Sequence, residues 1–167
     1  MVSRLDELGW DRIVAHEQAL LRQMLDGLAA IPAVRVHGPH DADATIGVVP
    51  FTVEGVDHGL VAAVLGYEHG IAVRSGCFCA HPYVAHLLGL DAAAAERWAT
   101  RVGAGDRRDA PGMVRASLGF YNDSRDVDRF LDAVARVVDG DIAGTYGIDE
   151  HGEHHPRRHR SELVGAV

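Results

Sequence analysis

The sequence contains no lysine, because all 16 of its lysine-or-arginine positions are arginines. Any reaction that needs a lysine amine, such as covalent attachment of an aldehyde, therefore requires a residue from outside this chain. Positive charge is also in short supply, since the formal net charge is -8 and the pI is near 5.7. Nucleic-acid and anionic-membrane partners are disfavoured, because phosphate binding depends on clustered positive charge.

Long apolar runs and cysteines are scarce as well. No segment approaches the ~20 apolar residues that a membrane-spanning helix needs, and no basic stretch followed by an apolar stretch opens the chain. We therefore expect a cytoplasmic protein without a membrane partner. The two cysteines, Cys77 and Cys79, are separated by one residue, which fits a reactive or metal-binding pair better than a disulfide framework.

Hydrophobic periodicity predicts one domain followed by a polar tail. Helices are predicted over 3–30 (with a break near Gly9 and Asp11 as N-cap), between Asp57 and Gly70, over 83–88 and 92–102, and from the Asn122–Ser124 cluster to Gly140. Strands are predicted over 34–36, 46–53, 71–74 and 113–121, the second lying at a sheet edge or bulge because of Pro50.

This alternation predicts an α+β (two-layer α/β) fold, with a three- to four-stranded, mostly antiparallel sheet and helices on one face. Residues 1–141 would form the domain, and the polar, histidine-rich residues 142–167 would form a flexible tail. In the last strand, Val114 and Ala116 alternate with Arg115. Arg115 is therefore predicted to point away from the core.

The densest chemical segment is Arg74-Ser75-Gly76-Cys77-Phe78-Cys79-Ala80-His81-Pro82. Gly76 permits a sharp turn after the strand and Pro82 suits the first turn of a helix, so the loop can present Cys79 outward. A cysteine reacts as its thiolate, and Arg74 is a favourable neighbour for that form.

Two other interpretations of this segment remain open. Both cysteines could be small buried hydrophobic residues. Alternatively, a zinc ion could be bound by Cys77, Cys79, His81 and the tail histidines His151, His154, His155 and His159. Zinc sites usually take spaced ligand pairs from two separate loops, and this single cluster has no sharply defined mate, so we expect no metal.

Three strings of the sequence resemble the C-terminal part of the class V aminotransferase family, most closely cysteine desulfurases and selenocysteine lyases. They are Gly70-Ile71-Ala72-Val73-Arg74-Ser75-Gly76, Cys79-Ala80-His81-Pro82 and Arg115-Ala116-Ser117-Leu118-Gly119-Phe120-Tyr121-Asn122. The opening helix with His16-Glu17, the turns at Pro32 and Pro39 and the last helix fall in matching order. The resemblance implies the small C-terminal domain of a fold-type I pyridoxal-phosphate transferase.

In that family a lysine of a separate large domain holds pyridoxal phosphate. The resemblance implies that Cys79 is the catalytic cysteine that accepts sulfur as a persulfide, and that Arg115 binds the substrate carboxylate. Arg74 would orient the loop or the substrate, with Cys77 and His81 as accessory candidates. This chain would contribute no cofactor-binding residue and would be inactive without the large domain. The implied partners are that domain, a second copy of the full enzyme and a sulfur-acceptor protein.

The chain departs from the family pattern at two places. Cys77-Phe78 replaces two histidines of the family member compared, and Cys-Phe-Cys is reminiscent of molybdenum-cofactor sulfurases. The segment 86–112 is longer than its counterpart in typical desulfurases. One alternative is therefore a class V aminotransferase, lyase or molybdenum-cofactor-sulfurase-like enzyme in which Cys79 is not a desulfurase nucleophile. Another is a stand-alone, non-catalytic interaction or sulfur-carrier domain.

Overall fold

A computed structural model describes residues 2–108 and 110–157 and contains helices and two small sheets. The elements in chain order are α1 (Val2–Leu8), α2 (Trp10–Ala29), β1 (Val34–Val36), β2 (Val48–Val53), α3 (His58–His69), β3 (Arg74–Gly76), α4 (His81–Leu87), α5 (Ala92–Gly103), β4 (Met113–Ser117), α6 (Ser124–Val138), β5 (Tyr146–Ile148) and β6 (His154–Pro156). Within the described residues, no helix is long and apolar enough to cross a membrane.

The main sheet has four strands in the order β1-β2-β4-β3, and every neighbouring pair is antiparallel. Along β2, Val49, Phe51 and Val53 are buried and alternate with partly exposed positions. These buried side chains meet the apolar faces of α2, α3 and α6 in one core. The α+β fold predicted from the sequence is confirmed.

Local signals place α3 correctly. The Asp57 carboxylate accepts hydrogen bonds from the N–H groups of Gly59 and Leu60 at 2.8 and 3.2 Å, which satisfies two free donors at the start of the helix. The helix ends at Gly70, whose φ of 66° is readily adopted only by glycine. Both ends of α3 agree with the sequence prediction. The following strand β3 does not, because it runs from Arg74 to Gly76 whereas the sequence predicts a strand over 71–74.

The predicted start of α2 and the predicted end of β4 are also wrong. Gly9, with φ of 86°, precedes α2, so Asp11 lies in the first helical turn and is not the N-cap. Strand β4 ends at Ser117 instead of Tyr121, because the Asn122 side chain accepts a hydrogen bond from the Gly119 N–H at 2.8 Å and closes a turn. Phe120 is consequently exposed and does not continue the core face of the strand.

Pro50 lies in an inner strand, contrary to the prediction of an edge or bulge. Its carbonyl accepts a hydrogen bond from the His37 N–H at 2.9 Å, on the side of β1. In an antiparallel strand the N–H and C=O of one residue point to the same side. The missing donor of Pro50 therefore faces the place where β1 ends, and no hydrogen bond to β4 is lost.

The long segment between β3 and β4 folds into α4 and α5 and forms a second, smaller core. Val84, Ala85, Trp98 and Met113 are buried together there. Met113 lies two residues from Arg115 and shares its face of β4. The 86–112 segment thus covers part of the second sheet face, beside Arg115.

Residues 142–157 correct the prediction of a flexible tail, because they contain the hairpin β5–β6, with Tyr146 opposite Pro156. Glu68 of α3 holds the hairpin by accepting hydrogen bonds from the Ala143 and Gly144 N–H groups and the Tyr146 hydroxyl, at 2.9, 3.0 and 2.9 Å. These polar, long-range contacts leave no apolar period in the sequence. The domain boundary at 141 stays a prediction, and residues 158–167 lie outside the described part of the chain.

Candidate functional site

The cysteine loop leaves β3 at Gly76 and enters α4 at His81. Two consecutive non-glycine residues adopt positive φ, Phe78 at 53° and Cys79 at 61°. That conformation costs roughly 1–2 kcal/mol per residue, so the surrounding structure must hold it in place. The Ala80 N–H closes the turn on the Cys77 carbonyl at 2.8 Å. The result is an exposed Cys79 side chain, as the sequence predicts for a presented thiol.

Cys77 points elsewhere and has a defined partner. Its Sγ lies 3.1 Å from Nε2 of His81, and the His81 ring packs at 5.4 Å from the Trp98 ring. Cys77 is half-buried against the second core, so its environment combines an imidazole with apolar surroundings. The two cysteines are therefore chemically different positions, one open to solvent and one hydrogen-bonded.

Of the tail histidines, His154 and His155 lie beside aspartates, whereas His151 lines the same cleft as the two cysteines and His81. His154 is buried with Nδ1 at 3.5 Å from an Asp57 carboxylate oxygen, and His155 lies 3.2 Å from Asp149. Among the described residues, no group of three or more histidine, cysteine or acidic side chains could hold a metal ion. His159, included in the zinc interpretation, is outside the described residues.

Arg74 and Arg115 lie directly opposite each other in the β3–β4 ladder. Neither guanidinium forms an ion pair with a carboxylate in the part of the chain that the structure describes. Nε of Arg115 is buried without a hydrogen-bond partner, and the guanidinium lies 5.1 Å from the centre of the Phe78 ring. Like charges opposite each other are destabilising in a sheet, and an unpaired buried donor adds to that cost. A bound anion would reduce the repulsion between the two arginines and would accept a hydrogen bond from the Arg115 Nε.

A cleft of about 230 Å³ opens beside the loop. Cys77, Cys79, His81 and Arg74 line it, so the structure brings four of the five predicted site residues together. Arg115 does not line the cleft itself, but it contacts Phe78, which does. The thiol and the two arginines thus belong to one continuous region at the end of β3.

Sequence reasoning missed several residues that also line this cleft. His58 comes from the start of α3 and Trp98 from α5, while His151 and Glu153 come from the turn of the hairpin. Asp57, next to His58, has a sequence signal as a helix cap, and His151 is predicted from the sequence only as a possible zinc ligand. The others are brought in by long-range packing, for which a single sequence has no local pattern.

An arginine–aspartate cluster lies next to one side of the cleft, near α5. Asp106 accepts from Arg108 Nε at 3.0 Å and from Arg101 Nη2 at 3.1 Å. Hydrogen bonds from Arg108 and Arg101 lower the pKa of Asp106 to about 2, so this carboxyl stays ionised at neutral pH. Arg107, next in the chain, lines the cleft.

Comparisons with known proteins show the family to which the chain belongs. The family described as aminotransferase class-V matches residues 2–130. The chain belongs to this family. Cysteine desulfurases of Klebsiella pneumoniae and of Escherichia coli O127:H6 are both 32% identical, over 80% and 78% of this chain, and the chain spans 27% and 26% of their lengths.

Solved structures of class-V aminotransferase relatives show the same fold. The apo cysteine desulfurase of Thermococcus onnurineus NA1 superposes with a TM-score of 0.66 at 32% identity, covering 83% of this chain and 29% of that one. The cysteine desulfurase CsdA of Escherichia coli, in an S-sulfonic acid form, gives 0.55 at 26% identity, covering 76% of this chain and 25% of that one. The family match ends at residue 130, so the hairpin β5–β6 lies beyond it.

Proposed function

We propose that this chain is the small domain of a cysteine desulfurase in which Cys79 accepts sulfur from the substrate. The observation that carries the proposal is the exposed Cys79 thiol, presented by a strained turn beside two arginines that have no carboxylate partner among the described residues. Strain of this kind is typical of functional positions. Similarity to cysteine desulfurases supports the same reaction.

The sulfur transfer balances with these groups. The Cys79 thiolate forms a bond to the sulfur of substrate cysteine, and the carbon–sulfur bond of the substrate breaks. The electron pair of the broken bond goes to the substrate carbon, which takes a proton and leaves as alanine. One thiol and one cysteine give one persulfide and one alanine, so no separate oxidant is needed. The exposed Cys79 persulfide can then pass its outer sulfur to an acceptor thiol, which restores the Cys79 thiol.

Arg115, assisted by Arg74, would bind the substrate carboxylate. A guanidinium binds a carboxylate through two parallel hydrogen bonds, which fixes both the position and the orientation of an amino acid. The unpartnered Nε of Arg115 and the cross-strand position of Arg74 both favour an anion at this place. Cys77 and His81 would be accessory groups that shape the thiol's surroundings.

The residues of this chain do not fit covalent attachment of pyridoxal phosphate, because the sequence contains no lysine. In the proposed enzyme a large domain holds the cofactor, whose chemistry when bound is to withdraw electrons from the substrate carbons. The chain alone would then be inactive. Its partners would be that large domain, a second copy of the full enzyme and a sulfur acceptor.

The test supplies the missing domain. The chain is combined with a lysine-bearing large domain of the family, on one polypeptide or as a second chain, together with pyridoxal phosphate and cysteine. We expect alanine and sulfide to form only in the combination. Cys79→Ala should lower the rate by on the order of 10³-fold or more, because a covalent nucleophile is lost. Cys77→Ala is the matched control and should change the rate far less.

Arg115 is tested in the same assay. Arg115→Ala should raise the KM for cysteine by roughly 10- to 100-fold, the effect of losing a hydrogen bond to a charged group. Arg125→Ala, an exposed arginine of α6, is the matched control. Activity that is indifferent to Cys79, or transamination without alanine release, would instead indicate an aminotransferase or lyase of the same family.

A further inference from the structure

The hairpin β5–β6 reaches from α3 to the mouth of the Cys79 cleft. Its turn residues His151, Gly152 and Glu153 line the cleft together with Cys79 and Arg107. The family match ends at residue 130, before this segment begins. Its position next to an exposed thiol gives it a direct influence on what can approach Cys79.

The hairpin turn lies close to the segment around Arg107, which also lines the cleft. A Cβ built on Gly152 would lie 2.7 Å from the carbonyl oxygen of Arg107, closer than real Cβ contacts allow, and φ there is 82°. Only glycine permits this approach without displacement. The hairpin and the Arg107 segment therefore meet at the edge of the cleft and form a continuous boundary around one side of it.

Three sets of contacts hold the hairpin on α3. The Glu68 carboxylate accepts the three hydrogen bonds from Ala143, Gly144 and Tyr146. The rings of Tyr67 and Tyr146 pack at 6.4 Å. On β6, the buried His154 side chain lies against the start of α3, where a Cβ on Gly59 would be 2.8 Å from its Nδ1.

The size of the cleft limits what this boundary admits. Its volume of about 230 Å³ is below the roughly 300–1,000 Å³ that holds a drug-sized ligand. An amino acid or another small thiol fits such a space. A larger acceptor that approaches the exposed Cys79 from the side of the hairpin would contact the turn at His151, Gly152 and Glu153 first.

We propose that residues 142–157 form a specificity wall at the Cys79 cleft, which admits small thiols and excludes bulky ones while Glu68 holds the hairpin in place. The identity of the excluded molecules as sulfur acceptors rests on the proposed function. The wall itself rests on the geometry of the hairpin and is independent of any sulfur transfer.

The test measures access to Cys79 with two maleimides that share one reactive group. In the full chain carrying Cys77→Ser, Cys79 is the single thiol, and it is labelled with N-ethylmaleimide or with a maleimide on a polyethylene glycol chain. The rate with the bulky maleimide is divided by the rate with N-ethylmaleimide. This ratio is then compared with the same ratio in the urea-unfolded chain. We expect the bulky reagent to be disfavoured in the folded chain.

Two variants then open the wall. Glu68→Gln should speed labelling by the bulky reagent about tenfold, with little change for N-ethylmaleimide. The reason is that loss of the charged hydrogen-bond acceptor makes the hairpin detach from α3 more often. Gly152→Ala should act in the same direction, because its Cβ displaces the turn. Glu54→Gln, an exposed carboxylate outside the hairpin contacts, is the matched control and should leave both rates unchanged.

A ratio in the folded chain equal to that in the unfolded chain would overturn the proposal. The proposal would also be overturned by a low ratio that neither Glu68→Gln nor Gly152→Ala changes. The bulky reagent would then be excluded by elements other than the hairpin. Circular dichroism checks that each variant remains folded. Because labelling needs no substrate, size selection without desulfurase activity would keep the wall and reject only the proposed function.

Discussion

At the scale of single residues, Gly27 decides how closely α2 and α6 can pack. A Cβ on Gly27 would overlap the Leu131 side chain, whereas a Cβ on Gly66, in α3, would meet no atom within 4 Å. Gly27→Ala should therefore lower the free energy of unfolding by about 1 kcal/mol, as overpacking outweighs the gain in helix propensity. Gly66→Ala should raise it by about 0.5–1 kcal/mol. Urea unfolding followed by circular dichroism measures both.

The cause of the Gly27 effect can be separated with a second substitution. In the double variant Gly27→Ala/Leu131→Ala the overlap is gone, so the cost of Gly27→Ala should largely disappear when it is measured against Leu131→Ala alone. A cost that is the same in both backgrounds would show that the Leu131 contact is not responsible.

The exposure and direction of a side chain could be predicted from the sequence where they depend on residues nearby in the chain. Contacts between residues far apart in the chain could not be predicted. The exposure of Cys79 follows from the loop motif, and the outward direction of Arg115 follows from alternation along β4. The hydrogen bond between Cys77 and His81 was within reach, since the two are four residues apart. The pairing of Arg74 with Arg115 required the strand order, which no local pattern contains.

At the scale of elements, helices with caps and an apolar stripe were found, and the polar hairpin was missed. For α6, the Asp123 cap and the buried apolar face can both be recognised from residues that are close together in the sequence. The hairpin has neither, because its stability depends on Glu68, more than 70 residues away from the groups it holds. A single carboxylate that accepts three hydrogen bonds has no periodicity for sequence reasoning to detect.

Acid should release the hairpin before it unfolds the domain. Burial opposes ionisation of Glu68, but hydrogen bonds from Ala143, Gly144 and Tyr146 outweigh it and lower its pKa below the ordinary 4.5. The stabilisation from a lowered pKa is present above pH 4.5 and is lost as pH falls through the folded value. Amide exchange at Ala143 and Gly144, corrected for the intrinsic rate, should lose protection in that range.

The matched variant for the acid effect is Glu68→Gln, which carries no titrating group at this position. Its exchange at Ala143 and Gly144 should already be fast at neutral pH and should change little between pH 6 and acid conditions. Protection that falls with the same midpoint in Glu68→Gln and in the unchanged chain would assign the titration to another group.

Alkali should act on the same hydrogen bonds between Glu68 and the hairpin, through ionisation of Tyr146. Burial, followed by the hydrogen bond to Glu68 and its charge, raises the pKa of Tyr146 from 10.0 to about 12. A raised pKa stabilises the fold fully below pH 10, and this contribution is lost as pH rises through 12. Phenolate absorbance should show a late phase near pH 12, absent from Tyr146→Phe and shifted to lower pH in Glu68→Gln. A late phase that persists in Tyr146→Phe would contradict the assignment.

At the scale of the whole molecule, large apolar side chains remain exposed on α2 and on the turn that follows β4. Trp10 and Val14 are each 51% exposed and are four residues apart on α2, so they share a helix face. Tyr121 is 79% exposed, and its turn is joined to α2 by the hydrogen bond between His16 Nε2 and the Asn122 carbonyl at 2.8 Å. A further domain, as proposed for the full enzyme, would cover such a surface.

Without that cover, the chain should associate weakly with itself. Large aromatic side chains bury about 150–250 Å² each, so these exposed side chains together supply much less than the roughly 1,200 Å² of a stable interface. Sedimentation velocity should therefore show a concentration-dependent shift at high protein concentration, without a fixed dimer. Trp10→Glu/Tyr121→Ser should remove the shift, whereas Tyr83→Ser, an exposed tyrosine of α4, should not. A shift that survives the double variant, or no shift in the unchanged chain, would locate the domain contact elsewhere on the molecule.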